Sequence, residues 1–234
     1  MKNLFRYVLV TAVAVFVFGA GSQINAQDQS YVRELYKKME ANQKSLTSLR
    51  TSIRMERYNA QLRVIEDKRE GKALYLPAKD RKNVNIRLDW TNPVQETLSV
   101  LNGEYQLYRP RLGQVMKGKT KDVQNQAGAG NVFSLINMSS KDLKSNFDAQ
   151  WLGAELIAGG AISAYKLKLT PKTDSRHSNY EVWVNEAGMV VQAKLYEKNG
   201  DTTTFLLFGT ERNAKISMKQ LALNLPKTVQ VIEG

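Results

Sequence analysis

The middle of the chain alternates apolar and polar residues, as a β-strand does when only one of its faces is buried. Residues 86–90 alternate in this way and precede Pro93, which has no N–H to give to a neighbouring strand. Two further β-prone segments, 97–101 and 104–108, flank an Asn-Gly pair, which favours a tight type I′ hairpin turn. The pattern therefore predicts three adjoining antiparallel strands with one apolar face.

The same alternation recurs on both sides of this segment. We predict further strands at 51–58, 61–65, 71–76, 164–170, 180–184, 189–197 and 202–209, and a final apolar segment at 217–231. An amphipathic helix at 28–43 needs a partner for its apolar stripe, which the sheet offers. A Gly-rich loop is predicted at 117–130, followed by two short helices that begin after Asn131 and Ser139. These helices are either ordinary core packing or a movable cover, and the whole fits one mainly β (α+β) domain.

The N-terminal residues have the pattern of a secretory signal peptide. Two basic residues precede an apolar stretch, 7–18, and small residues lead up to Ala26. Because the apolar stretch is short for a membrane span, we predict removal of residues 1–26 and export of a single domain, 27–234, to the periplasm. A retained anchor helix is the alternative interpretation.

Composition and charge narrow the possible functions. The chain carries a formal net charge of +12 and has no cysteine. Without disulfides, an exported domain must be stabilised by a buried apolar core. The basic charge fits either anionic membrane surfaces and acidic partners or a merely soluble surface. Its scattered distribution does not favour binding to nucleic acid.

Candidate catalytic residues are few. The single histidine, His177, lies in a polar loop, and no Gly-x-Ser-x-Gly motif offers a nucleophile for a Ser-His-Asp triad. One histidine and no cysteine argue against a zinc site, and the sequence has no phosphate or dinucleotide loop. Asp89, Glu96 and Glu104 fit the solvated face of strands better than a pair of catalytic acids. We therefore predict a binding protein without metal or cofactor, not an enzyme.

The predicted sheet suggests what such a protein would bind. A strongly twisted antiparallel sheet can curl into an open barrel with a concave apolar face. Where helices cover that face without filling it, the remaining cavity has room for a lipid. Each acyl methylene removed from water contributes about 0.8 kcal/mol. Long acyl chains therefore need shielding of this kind in an aqueous compartment.

Segment 91–115 contains Thr-Asn-Pro, a strand, a Gly turn, an aromatic strand, Tyr-Arg-Pro and Gln-Val, in that order. It resembles the corresponding block of the LolA family of outer-membrane lipoprotein carriers. Segments 131–136, 167–172, 184–190 and 213–231 resemble that family's lid helix, its Leu-x-Leu-x-Pro strand, its turn and its closing segment. In that closing segment the family has an apolar strand before a proline. The resemblance covers nearly the whole predicted mature chain in order.

This resemblance implies an incomplete antiparallel β-barrel of about eleven strands with a helical lid over an apolar cavity. It implies a periplasmic carrier that binds the acyl chains of lipoproteins, receives them from an inner-membrane ABC transporter complex and delivers them to an outer-membrane acceptor. We expect a monomer that performs no covalent chemistry. The predicted lipid-binding residues of the wall are Ile86, Leu88, Trp90, Leu98, Val100, Tyr105, Leu107, Leu167, Leu169, Val182 and Val184, and those of the lid are Phe133 and Ile136.

Two features depart from the LolA pattern. The family has an Arg-Pro pair whose arginine helps to latch the lid, whereas the corresponding region here offers only Arg81 and Lys82 as candidate latch residues. The family's tryptophan position falls on Leu88, with Trp90 two residues further on. The control of the lid and the type of lipid carried stay open. A shift of one residue in the strand register would also turn the assigned face of that strand outward.

Three other functions remain as alternatives. The second hypothesis is a periplasmic sensor of lipids or mislocalised lipoproteins that uses the same fold to regulate a signalling protein. Sensors of that type carry a further C-terminal domain, and this sequence ends at Gly234, soon after the last predicted strand. An outer-membrane lipoprotein acceptor ranks third, because it would need a cysteine for its own anchor. A hydrolase ranks fourth.

Overall fold

A computed structural model of the chain describes residues 26–78, 84–120, 133 and 135–233. The strands are β1 (Leu49–Asn59), β2 (Val64–Pro77), β3 (Val84–Asn92), β4 (Glu96–Leu101), β5 (Glu104–Arg109), β6 (Gln114–Lys119), β7 (Phe147–Ile157), β8 (Ile162–Pro171), β9 (His177–Val184), β10 (Val190–Glu197), β11 (Thr202–Arg212) and β12 (Gln230–Glu233). The helices are α1 (Ala26–Ser45), α2 (Ser140–Asn146) and α3 (Met218–Leu221), with 3₁₀ turns at Pro110–Leu112 and Ala158–Gly160. Residues 133 and 135–137 are also helical, and we refer to them as the lid segment.

The twelve strands of the described residues form one sheet in the order β12-β6-β5-β4-β3-β2-β1-β11-β10-β9-β8-β7. Neighbouring strands are antiparallel except for β12, which pairs with β6 in parallel. The sheet ends at β7 and β12 and is open. The prediction of a mainly β fold, an incomplete antiparallel barrel with helices, is therefore confirmed.

The N-terminal helix α1 follows the predicted amphipathic pattern. Val32, Leu35, Tyr36 and Met39 recur at helical spacing, and all four are buried in the same apolar cluster as the inner face of the sheet. The helix contacts β7 and α2. It therefore covers part of the sheet, as the helix predicted at 28–43 required.

The hairpin of β1 and β2 corrects one prediction. Residues 60–63 form a turn, in which the Leu62 amide donates to Asn59 Oδ1 (2.9 Å), and β2 then runs without interruption from Val64 to Pro77. A separate strand at 61–65 is therefore wrong. The apolar residues Leu62, Val64 and Ile65 are exposed at the end of the hairpin, so their alternation did not mark a buried face.

A second correction concerns the strand β7. The helix predicted after Ser139 ends at Asn146, and Phe147 begins an eleven-residue strand that the sequence analysis did not predict. This strand forms one end of the sheet and pairs with β8. Most of its residues are at least partly exposed, so the hydrophobic alternation that identifies buried strands is weak here.

The C-terminal residues pack on the outer face of the sheet, opposite the apolar cluster. The expected apolar strand before Pro226 is wrong, because α3 begins after Ser217 with a capping box formed by Ser217 and Gln220. Leu221 is fully buried, and its carbonyl accepts a hydrogen bond from Ser99 Oγ (2.7 Å). The segment thus crosses β3 and β4 before β12 joins the sheet.

Candidate lipid-binding site

The inner face of the sheet brings the predicted wall residues together. All of them are buried in one contiguous apolar cluster except Leu107, which is partly buried and packs against it. The register places Leu88 opposite Leu98, Leu98 opposite Leu107, and Val100 opposite Tyr105. Side chains that face one another across strands in this way lie on the same side of the sheet. The assigned faces are therefore the buried ones, and contact with lipid stays a prediction.

The same wall contains residues that the sequence analysis did not name. They come from strands that lie between the two predicted halves of the wall, and they are Ile53, Ala73, Tyr75, Ala193, Leu195, Phe205 and Leu207. Each follows the alternation of its own strand. The periodicity within these strands was therefore sufficient to identify them.

The lid segment lies over this wall. Phe133 and Ile136, the two predicted lid residues, are buried in the same cluster, together with Leu135. The Phe133 ring stacks on the ring of Tyr75 in β2, with 5.9 Å between the ring centroids. The cover of the inner face therefore consists of α1 and the lid segment.

A buried polar contact fastens the lid segment to both β2 and α1. The Tyr75 hydroxyl donates to Asn137 Oδ1 at 2.9 Å, and Gln43 Nε2 donates to the Asn137 carbonyl at 2.8 Å. All three residues are buried. Removing one partner of a buried hydrogen bond costs folding free energy, because the other partner is left without water or protein to bond to. Asn137 thus provides a polar fastening of the lid segment to both β2 and α1.

The predicted latch residues, Arg81 and Lys82, lie outside the described residues. Sequence reasoning missed Asn137, although a signal was present: it is an amide within an apolar helical run, at a position where burial requires a hydrogen-bond partner. Its partners Tyr75 and Gln43 lie 62 and 94 residues away in the chain. No local pattern identifies such pairs.

Two carboxylates attach α1 to neighbouring elements. Glu40 accepts a hydrogen bond from Ser140 at the start of α2 and pairs with Lys44 at 2.7 Å. Glu186, in the turn between β9 and β10, accepts from Tyr165 and pairs with Lys38 at 3.2 Å. Hydrogen bonds from Lys44 and then Ser140 lower the pKa of Glu40, and those from Tyr165 and then Lys38 lower the pKa of Glu186. Each carboxylate is therefore stabilised in its charged form first by a partner on its own side of the α1 interface and then by one across it, Ser140 for Glu40 and Lys38 for Glu186.

The residues considered for catalysis each contact a neighbouring side chain. His177 Nδ1 lies 3.0 Å from the Tyr180 hydroxyl, and burial lowers the pKa of the imidazole. Glu96 is largely buried between Arg69 (2.7 Å) and Arg109 (3.2 Å), and Asp89 pairs with Arg87 at 2.9 Å. The prediction of a solvated acid is therefore wrong for Glu96, while Asp89 is partly exposed on the outer face and Glu104 is exposed.

The described parts of the chain have neither a membrane-spanning helix nor a metal-binding cluster. None of the helices there combines the length and the hydrophobicity needed to cross a bilayer. No group of three or more histidine, cysteine or acidic side chains there is placed to hold a metal ion. The predicted signal peptide, 1–26, lies outside the described residues except for Ala26, the first residue of α1.

The chain belongs to a protein family described as "Uncharacterized protein", whose profile matches residues 95–214, a little over half of the 234 residues. No curated protein matches the chain.

Two similar solved structures show the same fold. An uncharacterized conserved protein from Thermus thermophilus is 14% identical with a TM-score of 0.55, over 87% of this chain and 99% of that one. MucB, also solved in complex with MucA from Pseudomonas aeruginosa, is 15% identical with a TM-score of 0.56, over 87% of this chain and 66% of its own length. A LolA superfamily protein from Nitrosomonas europaea is 13% identical with a TM-score of 0.42, over 82% of this chain and 97% of that one.

Proposed function

We propose that this member of the family is a carrier that binds the acyl chains of a lipid-modified cargo between the inner face of its sheet and its helical cover. The observation that supports the proposal is the apolar inner face, which is continuous across the described strands β1 to β5 and β8 to β11. A sheet of this kind offers an acyl chain a long apolar surface. The backbone N–H and C=O groups of the strands meanwhile form hydrogen bonds with neighbouring strands.

An acyl chain can displace the cover from that surface if its burial contributes more free energy than burial of the cover's side chains. Phe133, Leu135 and Ile136 occupy the wall in this state. Burial of side chains of this size stabilises by about 1.5–3 kcal/mol each, so withdrawing the three costs about 5–9 kcal/mol. An acyl chain of about sixteen carbons gains about 12 kcal/mol on leaving water. One long chain therefore outweighs the cover, whereas a short chain does not.

We further propose that the cargo is an acylated lipoprotein in the periplasm. In this account the protein receives its cargo from an inner-membrane ABC complex, delivers it to an outer-membrane acceptor and performs no covalent chemistry. The predicted signal peptide and the LolA-like order of motifs support this assignment. The transfer partners follow from the resemblance alone.

A sensor is the second candidate, because MucB has the same fold and has been solved in complex with MucA. In that case the protein would bind lipid in order to form or release a stable complex with a regulatory protein. Capture of cargo without such a complex would favour the carrier. A stable complex that changes on lipid binding would favour the sensor.

The test is a titration of the full chain with a triacylated lipopeptide, followed by tryptophan fluorescence, since Trp90 lies in the wall. The same peptide without its acyl chains is the control ligand. We expect saturable binding of the lipopeptide and none of the bare peptide. Equal binding of the two peptides, or no binding of the lipopeptide, would contradict the proposal.

A further inference from the structure

A pocket with a volume of about 350 Å³ lies between α1, α2 and the start of β7. It is lined by Gln29, Val32, Arg33 and Tyr36 of α1, Lys144 of α2, Phe147, Asp148 and Ala149 of β7, and Lys172, which follows β8. Val32, Tyr36 and Phe147 also belong to the buried apolar cluster. The pocket is therefore a polar recess at the margin of the proposed lipid site.

The hydroxyl of Tyr36 is buried in this recess without a hydrogen-bond partner among the described residues. The residue is 3% exposed. Burial, with a smaller effect of Asp148, raises the pKa of Tyr36 to about 12, so the hydroxyl remains protonated at neutral pH and can donate. A buried donor that lacks an acceptor destabilises the folded protein. A ligand with an acceptor atom in the pocket would satisfy this donor.

The charges around Tyr36 indicate the chemistry of that ligand. Arg33, Lys144 and Lys172 line the pocket, and Asp148 is the one carboxylate among the lining residues. Asp148 lies 3.5 Å from Lys172 Nζ, which also donates to the Lys144 carbonyl at 2.8 Å. The lining residues thus carry a positive excess, spread over three separate elements.

We infer that this pocket binds a phosphate group, with the Tyr36 hydroxyl and the Lys144 and Lys172 ammonium groups as donors. A phosphate offers several strong acceptor oxygens in different directions, which suits donors that approach from α1, α2 and the end of β8. The group is either the head group of a lipid or the free anion. The lipid source rests on the proposed function, because its acyl chains would continue from the pocket into the apolar cluster through Val32 and Phe147.

The experiment measures binding of octyl phosphate, octyl glucoside and inorganic phosphate to the full chain by calorimetry. Tyr36→Phe removes only the hydroxyl and leaves the ring packed, so its thermal stability should not fall below that of the wild type. We expect it to weaken octyl phosphate binding about tenfold or more, the loss expected for one hydrogen bond to a charged group. Binding of octyl glucoside should not change. Tyr31→Phe, on the same helix but outside the pocket, is the matched control.

Removal of charge provides an independent measurement. Lys144→Gln should weaken octyl phosphate binding about threefold, as expected for one exposed cation. Lys141→Gln, which removes the same charge from the same helix outside the pocket, should leave binding unchanged. Wild-type affinity for octyl phosphate in both Tyr36→Phe and Lys144→Gln, or no binding of either phosphate compound to the wild type, would overturn the inference.

The ligands also separate the two sources of phosphate. Inorganic phosphate that displaces octyl phosphate at similar concentrations would support the site and assign it to the free anion, whereas binding of octyl phosphate alone would assign it to a lipid head group. Phosphate binding that depends on Tyr36, in a protein that fails to bind the triacylated lipopeptide, would support this site and contradict the carrier function.

Discussion

The Tyr75 hydroxyl, on the inner face of β2, donates a 2.9 Å hydrogen bond to Asn137 Oδ1 in the lid segment. Both residues are buried, and the ring of Tyr75 also stacks on Phe133. One side chain thus holds the cover through a polar and an aromatic contact at once. In the proposed function, cargo reaches the wall beneath the lid segment only after that segment moves away, which breaks this hydrogen bond.

Loss of the Tyr75 hydroxyl should therefore favour the open state. In Tyr75→Phe the ring still packs on Phe133, but the hydrogen bond from the hydroxyl to Asn137 Oδ1 is lost, at a cost of about 1 kcal/mol to the closed form. We expect the lipopeptide to bind about fivefold or more tightly, as measured by tryptophan fluorescence. The exposed Tyr58→Phe is the control and should bind as the wild type does. Weaker or unchanged binding in Tyr75→Phe would refute the role of this contact as a fastening.

The wall can be tested by placing a charge at its partly buried margin. Leu107→Glu puts a carboxylate beside the apolar cluster, where it can still reach water, and should reduce acyl binding about tenfold or more because an acyl chain cannot solvate it. Leu62→Glu introduces the same change at a residue that is 66% exposed in the β1–β2 turn, and should bind normally. Both variants are first checked by circular dichroism. Equal affinity of the two variants would exclude Leu107 from the lipid-binding wall.

The docking of α1 depends on a glycine in the turn between β9 and β10. Gly188 has φ +76, and a Cβ there would lie 2.2 Å from the Lys38 carbonyl oxygen of α1. Gly113 has a similar φ of +61, but a Cβ there would meet nothing within 4 Å. Gly113→Ala should thus cost about 1 kcal/mol of unfolding free energy from backbone strain alone.

Gly188→Ala should cost several kcal/mol, roughly 2–4, because α1 must also move away from the added methyl group. Urea denaturation of both variants gives the comparison. Equal losses of stability would mean that α1 does not pack against this turn as described.

The carboxylates that attach α1 predict how stability depends on pH. Glu40 and Glu186 have pKa values below their ordinary value of 4.5 in the folded protein, so their contribution is complete above that pH and is lost as the pH falls through the lowered pKa values. The double variant Glu40→Gln/Glu186→Gln should be less stable than the wild type at pH 7 and should approach it in strongly acidic solution. Unfolding free energies across this range provide the test. A constant difference between the two proteins would show that these groups do not titrate with folding.

The inner face could be predicted from the sequence because the features that indicate it lie within single strands and turns. Alternation placed Leu88, Leu98 and Leu107 on one side of their strands, and the Asn-Gly turn set the register that brings them opposite one another. The same reasoning failed at Leu62 and Ile65, where alternating apolar residues lie exposed at the end of a hairpin. A pattern indicates a buried face only where another element covers it.

The contacts that control the cover could not be predicted, because they join residues far apart in the chain. Asn137 meets Tyr75 and Gln43 only after the sheet has curved and both α1 and the lid segment have docked. The sequence predicts Glu96 as a solvated acid, yet Arg69 of β2, two strands away, and Arg109 of the adjacent β5 enclose it. That the Tyr36 hydroxyl has no partner within the described parts of the chain is likewise a property of the packed state, since the sequence shows only an aromatic residue on an apolar stripe.

Native mass spectrometry can show whether acyl chains occupy the apolar inner face of the sheet. The full chain is purified without detergent from the envelope of the cells that produce it. Its mass is then compared with that of the same protein after extraction with organic solvent. We expect an adduct whose mass matches an acylated molecule, lost on extraction and restored by adding the triacylated lipopeptide. A protein that carries no acylated adduct and takes up none of the added lipopeptide would contradict the claim.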